Sequence, residues 1–161
     1  MIRKIKKNDF LKLEELLKEF MINYNEKKVL KGIQSDFMEY KDIDKYIHSI
    51  AKIYCNMKSS QKVIYVYEDN DKLLGYIYGE VYKDTNKKLS IIGHVEDWFV
   101  SKENRGKKIG KQLWDKMIDY FKSKNVQTIK LEVFAQNKDT YKLYKKMGFE
   151  SLDIVLIKRL D

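Results

Sequence analysis

Between Phe10 and Tyr24 the apolar residues Phe10, Leu13, Leu16, Leu17, Phe20, Met21 and Tyr24 recur every three or four positions. This spacing predicts an amphipathic helix, with Asn8 or Asp9 as its N-cap. A second stripe of the same period comes after Asp42, through Ile43, Tyr46, Ile47, Ile50, Ile53 and Tyr54. A third, through Leu113, Trp114, Met117, Ile118 and Phe121, predicts a helix over Ile109 to Lys124. Between the second and third stripes the period falls to two. Lys62 to Glu68, Leu73 to Tyr82 and Leu89 to Val100 read as strands. Polar turns at Asp69–Lys72 and Asp84–Lys88 join them, which predicts an antiparallel meander. Gly75 and Gly79 share one face of the middle strand, where a neighbour can approach closely.

The ends of the chain complete the pattern. Ile2 to Ile5 reads as a first strand. Gln127 to Phe134 reads as a strand parallel to its predecessor, because a helix intervenes. Asn137 caps a short helix that runs through Met147 and is ended by Gly148, and Phe149 to Leu160 reads as a last strand. Asn25 to Lys41 is the least periodic stretch and reads as a loop with a helical turn. The order is β-α-α-β-β-β-α-β-α-β: an α/β fold with a mixed central sheet, helices on both faces, and one domain over residues 1–161.

Composition narrows the function classes. With 43% hydrophobic residues the chain is not of the disordered type. A single cysteine, Cys55, excludes an intramolecular disulfide and a cysteine metal cluster, and its apolar helical setting marks a small core residue. The N-terminus is basic, and charged residues interrupt the stretch after it. Neither a signal peptide nor a membrane span is expected, and the expected location is the cytoplasm. The net charge of +9 raises the question of nucleic acid, but the lysines are scattered along the chain without a dense block. No nucleic-acid partner is expected. A positive field also favours an anionic small molecule.

The candidate chemistry lies where the strand ending at Val100 gives way to a helix. The joining turn is Arg105-Gly106-Lys107-Lys108-Ile109-Gly110, with Lys111 after it. The first N–H groups of a helix have no partner within it, and the helix dipole is positive there. Gly106 and Gly110 let a phosphate approach the main chain without a Cβ in the way. The turn fits neither G-x-x-x-x-G-K-[ST] nor G-x-G-x-x-G.

The run V-E-D-W-F-V-S-K-E-N-R-G-K-K-I-G-K-Q-L resembles the acetyl-CoA-binding motif of the GNAT N-acetyltransferase superfamily, in which R/Q-x-x-G-x-G/A wraps the cofactor pyrophosphate. Arg105 and Gly110 fall on its first and last positions. The block from Asn137 to Phe149 resembles the N-x-x-A-x-x-L-Y-x-K-x-G-F segment of the same superfamily, with Thr140 in place of Ala. The element order of that fold is also the one that periodicity gives. The resemblance implies acetyl-CoA as donor, no metal, and a primary amine as acceptor. Its implied cofactor contacts are Phe99, Val100, Arg105, Gly106, Lys107, Lys108, Ile109, Gly110, Lys111, Asn137 and Tyr144. It also implies a homodimer as an option, for which the apolar last strand is suited.

Transfer to an amine requires the neutral amine. For an alkyl ammonium of pKa ~10.4 this means ~3.4 units at pH 7, or ~4.6 kcal/mol. The resemblance implies Tyr144 as the acid that protonates the leaving thiolate. It implies Glu96 as the base, because E-D-W-F-V is similar to the spermidine/spermine-type members. Strand alternation puts Glu96 on the face of His94 and Trp98 and Asp97 on the opposite face, with Asp97 and Glu132 as reserve bases. Main-chain N–H groups of Phe99–Val100 are the implied oxyanion donors, on a strand that is bulged and splayed in the superfamily.

Lys108 stands where the motif has its middle Gly. A positive φ there would cost a Lys about 1–2 kcal/mol, so the expectation is a turn already helical at that point, with Lys108 adding a phosphate contact. Glu96-Asp97 together with Asp36, Glu39, Asp42 and Asp44 point to a small cationic amine as acceptor. A non-catalytic CoA-binding module and a protein N-acetyltransferase are the alternatives.

Overall fold

The computed structural model describes residues 1–26 and 33–160. Residues 27–32, inside the stretch expected to be a loop, lie outside the described residues. The strands are β1 (Ile2–Lys4), β2 (Lys62–Asp69), β3 (Lys72–Lys83), β4 (Ile91–Val100) and β5 (Thr128–Leu131). The helices are α1 (Phe10–Glu26), α2 (Ile33–Met38), α3 (Ile43–Cys55), α4 (Ile109–Ser123) and α5 (Lys138–Lys146). The strands lie in chain order in one five-stranded sheet. Pairs β1–β2, β2–β3 and β3–β4 are antiparallel, and β4–β5 is parallel across the α4 crossover. The mixed sheet expected from the period changes is therefore present.

Each face of the sheet carries its own apolar layer. On one side Leu13, Leu16 and Leu17 of α1 and Ile47, Ala51 and Tyr54 of α3 pack on Ile64, Val66, Tyr76 and Phe99. On the other side Leu113, Met117 and Phe121 of α4 pack on Val63, Tyr65, Ile77, Val81 and Val95. These α4 side chains are at most 2% exposed and lie over a track of glycines. A Cβ at Gly79 would come within 2.6 Å of Met117 Sδ, and one at Gly93 within 3.0 Å of the Phe121 ring. At Gly75 it would meet the Phe99 carbonyl oxygen at 2.7 Å and Leu113 at 3.3 Å. The close neighbour anticipated at Gly75 and Gly79 is α4.

Cys55 is buried and free, and burial pushes its thiol up to about 11, so it is a core residue. Asp42 caps α3 by accepting from the Lys45 N–H at 2.9 Å, and Asn137 caps α5 by accepting from Thr140 at 3.4 Å. Asp9 sits in a 3₁₀ turn, Lys7–Asp9, that leads into α1. Its carboxylate accepts from the Lys6 N–H and from both terminal nitrogens of Arg3, at 2.7–2.8 Å.

The last expected strand is not formed. Residues 149–160 carry no regular structure, and Leu152, Ile154, Val155 and Leu156 are more than 80% exposed. An apolar pattern makes a strand only where an edge accepts its hydrogen bonds, and β5 offers four residues rather than the eight expected. Arg159 near the end of this segment instead pairs with Asp36 of α2.

Burial raises the Asp9 pKa, but hydrogen bonds from Arg3 and the Lys6 N–H outweigh it and leave the carboxyl below its ordinary range. A folded pKa below the unfolded value contributes stability that is complete above about pH 4 and is lost as pH falls through the folded pKa. Asp9→Asn is expected to cost about 2–3 kcal/mol at neutral pH. Urea titrations from pH 7 to pH 2 should then show a shallower acid limb in the variant than in the parent chain.

Candidate active site

The site begins where β4 loses its neighbour. Pairing with β5 covers only Ile92 to Val95, so Glu96 to Val100 have no strand on that side. The β3–β4 register shifts at the same level: Tyr78 pairs with Asp97, and Gly79 pairs with Val95. Glu96 is the extra residue of a bulge. The expected bulge and splay are therefore both present, and they change the facing of the side chains. Val95 and Trp98 both pack on the α4 side, while Asp97 joins Tyr78 and Phe99 on the α1/α3 side. Strand alternation had set Asp97 opposite Glu96 and His94. The inserted residue moves it to the side of His94, because one added position reverses the parity of all later ones.

Beyond β4 a 3₁₀ turn, Lys102–Asn104, leads to the basic turn and α4. Gly106 has φ of 79°, and nothing lies within 4 Å of where its Cβ would be. Lys108 has φ of 62° and ψ of 9°. This corrects the expectation of an already helical turn. Lys108 is left-handed, and α4 starts only at Ile109, with its first bond from Gln112 N–H to the Lys108 carbonyl at 3.1 Å. The chain needs two left-handed residues to reverse from β4 into α4, and a lysine fills one of them.

Among the described residues, no hydrogen bond uses the main-chain N–H groups of Gly106 to Lys111. Gly106 and Lys108 to Lys111 line a cleft of about 640 Å³ bounded by Trp98, Val100, Asn104, Arg105, Trp114, Leu143 and Met147. Its inner wall is aromatic. Trp98 stacks on Trp114 at 5.0 Å and on Tyr144 at 6.3 Å, and Phe149 closes on Trp114 and Tyr144 at 5.9 Å. One end of the cleft is cationic with free N–H donors; the other is apolar. That polarity suits a molecule with a phosphate head and a thin apolar arm.

The sequence-derived residues fall into three groups. Gly106, Lys108, Ile109, Gly110 and Lys111 gather around the turn, and the exposed Arg105 donates from Nε to the Val100 carbonyl at 3.1 Å, over the Phe99 ring. Arg105 has no ion pair among the described residues, so its terminal nitrogens are open. Two of the lysines are partly engaged: Lys107 donates to Asn104 at 2.8 Å, and Lys111 pairs with Asp115 at 2.6 Å. Tyr144 joins through its stacking on Trp98, and burial pushes its phenol above the ordinary range, so it is protonated at neutral pH. Glu96 and Asn137 do not line the cleft. Asn137 is a helix cap, and Glu96 lies 2.9 Å from His94 Nδ1 on the far side of β4. Phe99 is 6% exposed and also faces that far side, so only its main chain can serve the cleft.

The sequence reading did not bring Trp98 and Trp114 into the site: Trp114 stood in the apolar stripe of α4 and Trp98 on the strand face of Glu96 and His94, whereas both form the cleft wall, Trp98 on the α4 side. Of the two reserve bases, Glu132 is bound to Lys130 at 2.9 Å, which holds its carboxyl below the ordinary range. Burial drives Asp97 the other way, upward, against a hydrogen bond from the Tyr54 hydroxyl at 2.7 Å.

Comparison with known proteins identifies the family and the fold. Residues 17–149 match the acetyltransferase (GNAT) family model. The chain belongs to that family. It is 27% identical over 168 residues to an uncharacterized N-acetyltransferase of Methanocaldococcus jannaschii, covering 95% of this chain and 73% of the relative. The fold matches an aminoglycoside acetyltransferase from an uncultured soil metagenomic sample, solved with trehalose. The TM-score is 0.68 at 14% identity, over 100% of this chain and 96% of that one. It also matches AAC(6')-Iy in complex with the bisubstrate analogue CoA-S-monomethyl-acetylneamine, with TM-score 0.69 and 14% identity over 100% and 97% of the chains. Among the described residues, no helix of this GNAT chain is long and apolar enough to cross a membrane.

Lys108→Gly is expected to stabilise the folded chain by about 1 kcal/mol, because glycine is at ease at positive φ. A rise of about 2–4 °C in Tm would report it in a domain of this size. If Lys108 also contacts phosphate, the same variant should bind CoA more weakly at low salt, and the difference should shrink as salt is raised.

Proposed function

We propose that this GNAT protein transfers the acetyl group of acetyl-CoA directly to a primary amine of a small cationic acceptor, both substrates being bound together. The observation that carries the reading is the set of unpartnered N–H groups from Gly106 to Lys111, set beside the unpaired end of β4. In this reading the pyrophosphate lies on the turn, held by those N–H groups with Arg105 and Lys108. The pantetheine arm runs past Trp98 and Trp114 toward the splay. There the main chain of Phe99–Val100 supplies N–H donors to the tetrahedral oxyanion.

Tyr144 gives its proton to the departing thiolate. The rise in its pKa keeps that proton in place until the sulfur charge develops. Glu96 takes the proton of the acceptor ammonium, directly or through water, and His94 at 2.9 Å orients the carboxylate. No step needs a metal. In a single chain Leu152, Ile154, Val155 and Leu156 are exposed, and they supply an apolar contact for a second copy. The AAC(6')-Iy complex, in which CoA is joined to an aminoglycoside-derived amine, supports the cationic acceptor by analogy of fold.

Release of CoA from acetyl-CoA across a panel of amines tests the reading, and absence of turnover with any amine despite CoA binding would favour a non-catalytic module. Tyr144→Phe is expected to lower kcat about 100-fold or more while the acetyl-CoA KM changes little. Arg105→Ala should weaken CoA binding about tenfold, as expected for loss of a charged hydrogen bond, and less so at high salt.

A further inference from the structure

Three side chains able to ligate a metal meet on the sheet face turned toward α1 and α3. Glu80 follows Tyr78 by two positions on β3, so it shares the face of that ring, and its cross-strand partner on β4 is His94. Directly paired residues stand side by side on one face. Glu96 joins them as the bulge residue, with its carboxylate 2.9 Å from His94 Nδ1. One donor atom of each of Glu80, His94 and Glu96 lies within 4.8 Å of the other two. Among the described residues no other group of three His, Cys, Asp or Glu side chains comes together in this way.

The charges around the trio leave room for a cation. Among the described residues Glu96 pairs with no Lys or Arg, and its ion-pair partner is His94. Lys130, opposite His94 on β5, is held by Glu132 at 2.9 Å. Glu80 does have a cation, Lys62 at 2.9 Å. The Lys62 side chain is about half exposed, and a surface pair of that kind contributes little and gives way readily. Both carboxylates and the imidazole reach solvent in part, with His94 the most covered.

The donor set selects the kind of metal. An imidazole with two carboxylates suits zinc and its first-row neighbours; calcium and magnesium favour oxygen alone, and soft ions favour thiolate. Bonds of about 2.0–2.2 Å put neighbouring donors about 3–3.5 Å apart. His94 and Glu96 are already that close. Glu80 closes the remaining gap by rotating its own side chain, while the paired strands hold the three main-chain positions fixed.

We propose that Glu80, His94 and Glu96 form a zinc site whose occupation switches the enzyme off, because the metal takes the carboxylate lone pair that would accept the ammonium proton. The site rests on the geometry of the three side chains. The switching rests on the N-acetyltransferase reading with Glu96 as base. The metal takes no part in the transfer itself.

The test uses the full chain, stripped of metal and titrated with Zn²⁺ against a chromophoric chelator near neutral pH. A single zinc should bind per chain. His94→Gln and Glu80→Gln should each weaken it about tenfold or more, since loss of even an outer partner of a metal ligand costs that much. His48→Gln should change nothing: it removes the other histidine, which has Glu14 at 3.1 Å and belongs to no such trio. Turnover is followed by the acetylated amine, because the thiol of released CoA binds zinc itself. Saturating zinc should lower turnover about 100-fold, the contribution of a general base, and EDTA should restore it. Glu80→Gln, active without zinc, should need about tenfold more metal for the same loss, and it decides the matter if the His94 variant does not fold. No zinc bound, binding that survives both substitutions, or bound zinc without loss of turnover would overturn the inference and leave the N-acetyltransferase reading standing. Zinc bound by these residues in a chain that acetylates no amine would instead support the site and overturn that reading.

Discussion

The contact on which the molecule depends is the close seating of α4 on the glycine track of β3 and β4. Leu113, Met117 and Phe121 recur every four residues along one side of the helix, and Gly75, Gly79 and Gly93 lie beneath them. Methyl groups at those glycines would stand 2.6–3.3 Å from the helix side chains, inside van der Waals contact. Without them the helix can lie deep on the sheet, with its stripe almost fully buried. The depth matters for chemistry because the same helix carries the basic turn at its N-terminus. Its seating holds the free N–H groups beside the end of β4 rather than out in solvent.

The second constraint is the bulge at Glu96. A regular strand would have set Glu96 and Asp97 on opposite faces. One inserted residue ends that regularity at the level where pairing with β5 also stops. It holds Trp98 against Trp114 and Tyr144 beside the stretch of β4 that has no strand on the β5 side, and directs Asp97 toward Tyr54. A cationic cleft with an aromatic wall thus stands on one side of the strand, and an enclosed carboxylate among tyrosines stands on the other.

Electrostatics sort the many charges by burial rather than by number. The excess of +9 spreads over the surface, where ion pairs such as Lys111–Asp115 are exposed and worth little. The charges with larger consequences are few and enclosed. Arg3 with Asp9 and Glu68 fastens β1 to the entrance of α1 and to β2. Asp97 accepts from the Tyr54 hydroxyl and has no ion pair among the described residues.

The sequence by itself determined the elements and the turn. The change of period from three or four to two and back placed four of the helices and the strands, with β5 drawn too long, because burial of one face imposes that spacing on any chain. The two motif blocks around Arg105 and Tyr144 marked the segments that flank the cleft, because a helix start that can take an anion needs Gly and free N–H groups in a fixed local order. Tertiary structure decided what depends on a neighbour. The positive φ of Lys108 comes from the reversal between β4 and α4. The facing of Asp97 comes from a register shift that exists only when β3 and β4 are paired. The tail after Gly148 has a strand's pattern but no ladder, because no edge among the described residues pairs with it. Periodicity records which side of an element is buried, whereas parity after a bulge, handedness in a turn and the partner of an edge are set by contacts between elements far apart in the chain.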